Sequence, residues 1–123
     1  MKKIIFILFS FILYNASTAF GQTVNDVPIS AIDVEYIQIF SSAKPFSSVI
    51  TIQADFGQKR NYMSTESTSL LNSEGQPIEF NSMIEAINLF SQFGYEYLDA
   101  YSVNINSRDV VYFVLRKMRE EGK

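Results

Sequence analysis

Residues 48–56 (SVITIQADF) alternate apolar and polar side chains more cleanly than any other stretch of the chain. Ile50, Ile52, Ala54 and Phe56 share one side; Val49, Thr51, Gln53 and Asp55 share the other. A period of two predicts a strand with one face buried. Residues 31–41 (AIDVEYIQIFS) are β-branched and aromatic, which predicts a strand before it. Ile32, Val34, Tyr36 and Phe40 lie on one face of that strand, Ile37 and Ile39 on the other. Lys44-Pro45-Phe46 predicts a turn between the two.

The period changes at Ser82. Met83, Ile84, Ala86, Ile87, Leu89, Phe90 and Phe93 fill a wide apolar stripe with helical spacing. Ser82 and Glu85 have the spacing of a capping box, and Gly94 supplies a left-handed stop. A helix over 83–93 follows. Residues 95–103 (YEYLDAYSV) alternate again, and 109–118 (DVVYFVLRKM) form a dense β-former run, with a turn expected at 104–108. Between the second strand and the helix lies an irregular stretch, 58–79. Its turn at 72–77 is flanked by Leu70-Leu71 and Ile78-Phe80, which predicts a small hairpin. The expected fold is therefore α+β: four main antiparallel strands in the order β-β-(small hairpin)-α-β-β, with one helix packed on one face.

The N-terminus changes the reading of where this fold works. Lys2 and Lys3 precede an 11-residue apolar run, residues 4–14, and a small, polar stretch follows. That order is a secretory signal peptide, too short for a membrane span of roughly 20 residues. Residues 1–21 are expected to be cleaved, after Gly21 or after Ala19. Residues 22–30 would be a polar leader, 31–118 a single domain and 119–123 a charged tail. The destination is bacterial, periplasmic or secreted, with no stable membrane anchor after cleavage. With Lys2 and Lys3 gone from 10 basic residues against 13 acidic ones, the net charge moves from −3 to −5. An acidic domain without a basic cluster is a poor match for nucleic acid.

From about Tyr36 to Lys117 the chain resembles a group of small bacterial domains of unknown function. In that group a helix containing Leu-Asn ends in Gly-Trp-Glu-Leu-Val, and a late strand ends in Tyr-x-x-x-Lys-Arg-Lys. The counterparts here are Ala86-Ile87-Asn88, Gly94-Tyr95-Glu96-Tyr97-Leu98 and residues 112–117 (YFVLRK). Tyr95 stands where the group has Trp. The resemblance implies a fold and no reaction; its Gly is a helix cap, its aromatic a packing residue, and its basic residues sit at a strand end.

The chain has no His and no Cys. Ser-His-Asp and Cys-His catalysis and typical zinc sites cannot be built, and no disulfide assists folding. Five scattered glycines make no phosphate-cradling loop. No cofactor or metal is expected. Carboxylates remain: Glu85, Glu96, Asp99 and Asp109. Two of them across a cleft would suit a hydrolase. Glu85 is accounted for by capping and Asp109 by a turn, while Glu96 and Asp99 have opposite parity. Asn104-x-Asn106-x-x-Asp109 spaces oxygen ligands closely but lacks the Gly and distal Glu of a calcium loop.

Tyr95, Tyr97 and Tyr101 share parity on one expected strand, and Tyr112 can lie beside them. They form the candidate binding face, with Ser82, Glu85 and Gly94 as structural residues. The competing reading places these rings under the helix, as core. The function expected from these observations is a non-enzymatic exported interaction module whose partner is a protein, peptide or glycan of the cell envelope. The alternative is a small-ligand binder with a pocket between helix and sheet lined by Phe90, Phe93 and Tyr97. A carboxylate-based hydrolase ranks last.

Overall fold

The computed structural model describes residues 21–43, 47–61 and 63–119. The expected signal peptide, Gly21 apart, lies outside the described residues, as do the turn expected at Lys44-Pro45-Phe46 and the tail beyond Arg119. Among the described residues no helix is long and apolar enough to cross a membrane.

The chain is mostly β. Among the described residues eight strands form two antiparallel sheets, of three and five strands, accompanied by one short α-helix. This β-rich sandwich corrects the expected α+β fold of four main strands with a packed helix. Four of the eight strands are only two residues long, too short to carry a readable period.

The small sheet has the order β2-β1-β5, from β1 (Thr23–Val24), β2 (Val27–Pro28) and β5 (Leu70–Leu71). The segment read as a polar leader is thus a hairpin. Its turn, Asn25 (φ 50°) and Asp26 (φ 62°), places both central residues in the left-handed region that a tight two-residue hairpin demands. Val24 on β1 and Ile29, just past β2, are fully buried.

The large sheet has the order β6-β4-β3-β8-β7. Its members are β3 (Tyr36–Ala43), β4 (Ile50–Asp55), β6 (Glu79–Phe80), β7 (Tyr95–Ile105) and β8 (Arg108–Lys117). Ile37, Ile39, Ile52, Ala54 and Leu115 form its inner face and meet Val24, Ile29 and Leu70 in one core. Neighbouring residues on these strands alternate between that core and the outer face.

The helix, α1 (Met83–Ser91), adds Ala86 and Phe90 to the same core. Ser82 Oγ accepts the Glu85 N–H at 3.2 Å, and the Glu85 carboxylate accepts the Asn81 N–H at 2.8 Å. The helix stops at Ser91, two residues short of the expected end. A turn through Gly94 (φ 89°) then redirects the chain into β7. Glycine is used there for its backbone, since a Cβ would meet open space. The Gly94 carbonyl accepts the Met118 N–H at 2.8 Å, which ties the helix exit to the end of β8.

Candidate functional site

β7 and β8 form the longest hairpin among the described residues, and only part of it is backed by a third strand. β3 pairs with β8 from Tyr36↔Arg116 to Phe40↔Tyr112. Beyond Tyr112 the sheet forks. Ser41, Ser42 and Ala43 stay with β4, while Ser102 to Ile105 stay with Arg108 to Val111. The second prong is a two-stranded ribbon. Its turn, Asn106 (φ 51°) and Ser107 (φ 64°), is a second tight hairpin turn made without glycine. A hollow of about 510 Å³ opens in the fork, lined by Ser41, Ser42, Arg108, Asp109, Val111 and Phe113 among others.

One residue decides which side chains the ribbon shows. Tyr97 pairs with Leu115 and Asp99 with Val114, so Leu98 is an extra residue, a bulge. Before it, Tyr95 and Tyr97 lie on the inner side with Leu115. After it, the parity is reversed, and Tyr101 lies across from Tyr112 on the outer face. The expected tyrosine ladder is therefore split. Tyr95, Tyr97 and Tyr101 share sequence parity without sharing a face, because an inserted residue flips every side chain that follows.

The two halves of the split ladder do different work. Tyr95 is 1% exposed. Its hydroxyl lies 3.0 Å from the Val34 carbonyl and 3.2 Å from the Ile32 carbonyl, either of which can take its proton, and it accepts the Val34 N–H at 3.3 Å. It is a core residue that fastens the entry to β3. Tyr97 is half exposed, its ring 6.4 Å from that of Phe113. Tyr101 stacks on Tyr112 with centroids 5.2 Å apart and planes 18° apart, and Tyr112 meets Phe40 at 5.0 Å. Gln38 Oε1 accepts the Tyr101 hydroxyl proton. The Arg60 guanidinium, paired with Asp55 at 3.4 Å, lies 5.9 Å from the Phe40 ring centre.

From this aromatic base an apolar stripe continues out along the ribbon on the outer face. Tyr101, Val103 and Ile105 are 46%, 39% and 44% exposed. Neither Val103, within the expected strand at 95–103, nor Ile105, within the expected turn at 104–108, is among the expected site residues. The signal was present: the alternation that begins at Tyr101 runs through Val103 to Ile105.

The carboxylates sit in separate local contacts. Glu85 caps the helix. Glu96 pairs with Arg116 at 3.2 Å. Asp99 accepts its neighbour Ala100's N–H at 2.8 Å, and Asp109 accepts the Asn104 side-chain amide at 3.0 Å. The bulge also corrects the expectation for Glu96 and Asp99, which now share the outer face. Asn104 and Asp109 face each other across the ribbon as a cross-strand pair, and no three Asp or Glu side chains gather among the described residues.

The described basic residues near the end of β8 are engaged: Arg116 with Glu96, Lys117 with Asp33, and Arg119 with Glu35 at 2.7 Å. The hydrogen bond to Glu35, with its charge, raises the Arg119 guanidinium above its ordinary value. Phe90 is fully buried and Phe93 packs against the core, so these rings fill space that a helix–sheet pocket would need. No protein-family model, curated protein or solved structure matches this chain.

Proposed function

We propose that the chain is an exported, non-enzymatic interaction module that presents the β7–β8 ribbon to a partner in the cell envelope. One observation carries this reading. Of the ten large apolar side chains left exposed among the described residues, six lie on this one hairpin: Tyr97, Leu98, Tyr101, Val103, Ile105 and Val111. Scattered exposed apolar residues are ordinary; a concentration on one hairpin marks a contact surface. Tyrosine rings with an apolar body and a polar hydroxyl at the tip suit protein recognition. The N-terminal pattern of Lys2, Lys3 and the 11-residue apolar run supports the exported address.

The test is a photo-crosslinking amino acid placed at Val103 in living cells, with Ile84 on the helix as control. Ile84 is more exposed than Val103, at 64%, and lies on the helix and not on β7 or β8. Adducts are expected from position 103 and not from 84. An absence of adducts at 103, or equal labelling at both positions, rejects the reading.

A further inference from the structure

We propose that the ribbon's partner is a second copy of this chain, joined by antiparallel pairing of β7 with β7 of its mate. The proposal rests on the reading of the ribbon as a contact surface and names its occupant.

The edge is the first observation. β7 ends the large sheet, and among the described residues no strand pairs with its outer side along its 11 residues. A bare row of N–H and C=O groups is a template for another strand. Proteins blunt such edges with charges, prolines and bulges. Here those devices are confined to the base of β7: Glu96, the bulge at Leu98, and Asp99. Residues 100–105 (AYSVNI) carry no charge, no proline and no bulge.

Symmetry then restricts the register. In a two-fold pair, residues directly opposite one another share a face. Tyr101, Val103 and Ile105 of one copy therefore oppose members of the same set, and Ala100, Ser102 and Asn104 oppose each other. Pairing centred on Ser102 uses the whole uncharged run. It sets Tyr101 against the mate's Val103 and Asp99 against the mate's Ile105. The two outer apolar stripes become one.

Charge selects that arrangement. Asp99, near the base of the β7–β8 hairpin, and Arg108, at its tip, both lie on the outer face, and neither is in an ion pair among the described residues. Within one chain they are about 20 Å apart along the strands. Across the two-fold, Asp99 lies opposite the mate's Ile105, whose cross-strand neighbour is Arg108. Two strand spacings, about 10 Å between backbones, then separate the two charges, a gap an arginine side chain spans. The dimer holds two such contacts, and no carboxylate of β7 opposes another. The joined edges extend about 23 Å. A single strand pair of that length is a small contact beside a standard interface, so weak association, on the order of 10–100 µM, is expected.

Sedimentation velocity of the natural chain from about 5 to 500 µM tests this. A monomer–dimer equilibrium is expected. Asp99→Arg and Arg108→Asp each weaken self-association at least ~10-fold, because each homodimer then sets like charges together. An equimolar mixture of the two variants recovers the dimer, since every such contact in the heterodimer is again between opposite charges. Both positions are exposed, and unchanged circular dichroism identifies variants that still fold. Monomer alone up to 500 µM, or a mixture no better associated than either variant by itself, overturns the proposal. Adducts from position 103 to other proteins together with a monomeric chain would leave the ribbon a contact surface and assign its edge to a foreign extended segment. No adducts at all would remove both readings.

Discussion

At the β4 edge of the large sheet, Glu79 and Phe80 pair with Thr51 and Ile50, Ser69 bridges Gln53, and the Ala54 N–H donates to the Thr68 carbonyl at 2.7 Å. At the β7 edge, eleven residues run without a partner strand among the described residues. The closed edge is finished by irregular chain. Gln58 acts as its clasp: its amide donates to the Ala54 carbonyl at 2.9 Å and the Ser67 carbonyl at 2.7 Å, and its oxygen accepts the Phe56 N–H at 2.8 Å. Buried Thr68 adds a bond to Gln53 at 2.9 Å. Closing a sheet edge here takes side-chain amides and two-residue strands, in place of a regular strand. Among the described residues no such strand or clasp covers the β7 edge.

The sharpest way to break this comparison is to remove the anchor of the closed side. Leu70 on β5 is fully buried and joins the small sheet to the covering segment. Leu70→Ala is expected to cost about 2–5 kcal/mol in urea unfolding, as other buried leucines do. Val103→Ala on the open side should stay within about 0.5 kcal/mol. Equal costs would mean the ribbon is part of the folding core. Next comes the clasp. Gln58→Ala strands three backbone groups and is expected to cost about 1–3 kcal/mol. Hydrogen exchange at the amides of Ala54 and Phe56 should accelerate, while amides of the distal ribbon remain unchanged. The smallest effect sharpens the open side. Ser107 holds a positive φ of 64° that glycine adopts freely. Ser107→Gly should raise stability by about 0.5–1 kcal/mol, read from the shift of the unfolding midpoint.

Local pattern reached some of this and missed the rest for definable reasons. Ile50, Ile52, Ala54 and Phe56 do turn toward the core, because six consecutive strand residues express a period of two. The N-terminal hairpin escaped because Val24 and Val27 flank Asn25-Asp26 with one apolar residue on each side, too little for a period to show. The mirrored V-N-D-V arrangement was the available cue. Leu98 escaped for another reason. Nothing in Tyr-Glu-Tyr-Leu-Asp-Ala-Tyr distinguishes an inserted residue from a regular one, since both alternations place apolar side chains on a face. The pairing of β7 with β8 decides it, and that is a property of two strands together. Tyr95 shows the same limit: only its neighbours Ile32 and Val34, 63 and 61 residues earlier, reveal that its hydroxyl is a fastener.

The central position of β3 has a consequence for the order in which the chain becomes a protein. β3 lies between β4, its neighbour in sequence, and β8, the last strand, with Tyr36 set beside Arg116. A chain delivered N-terminus first, from a ribosome or through a translocation pore, holds one side of its central strand unpaired until β8 has emerged. Pairings so distant in sequence close late and leave apolar strands uncovered meanwhile. Loss of the last few strand residues would therefore do more than shorten the molecule: it would leave β3 permanently waiting.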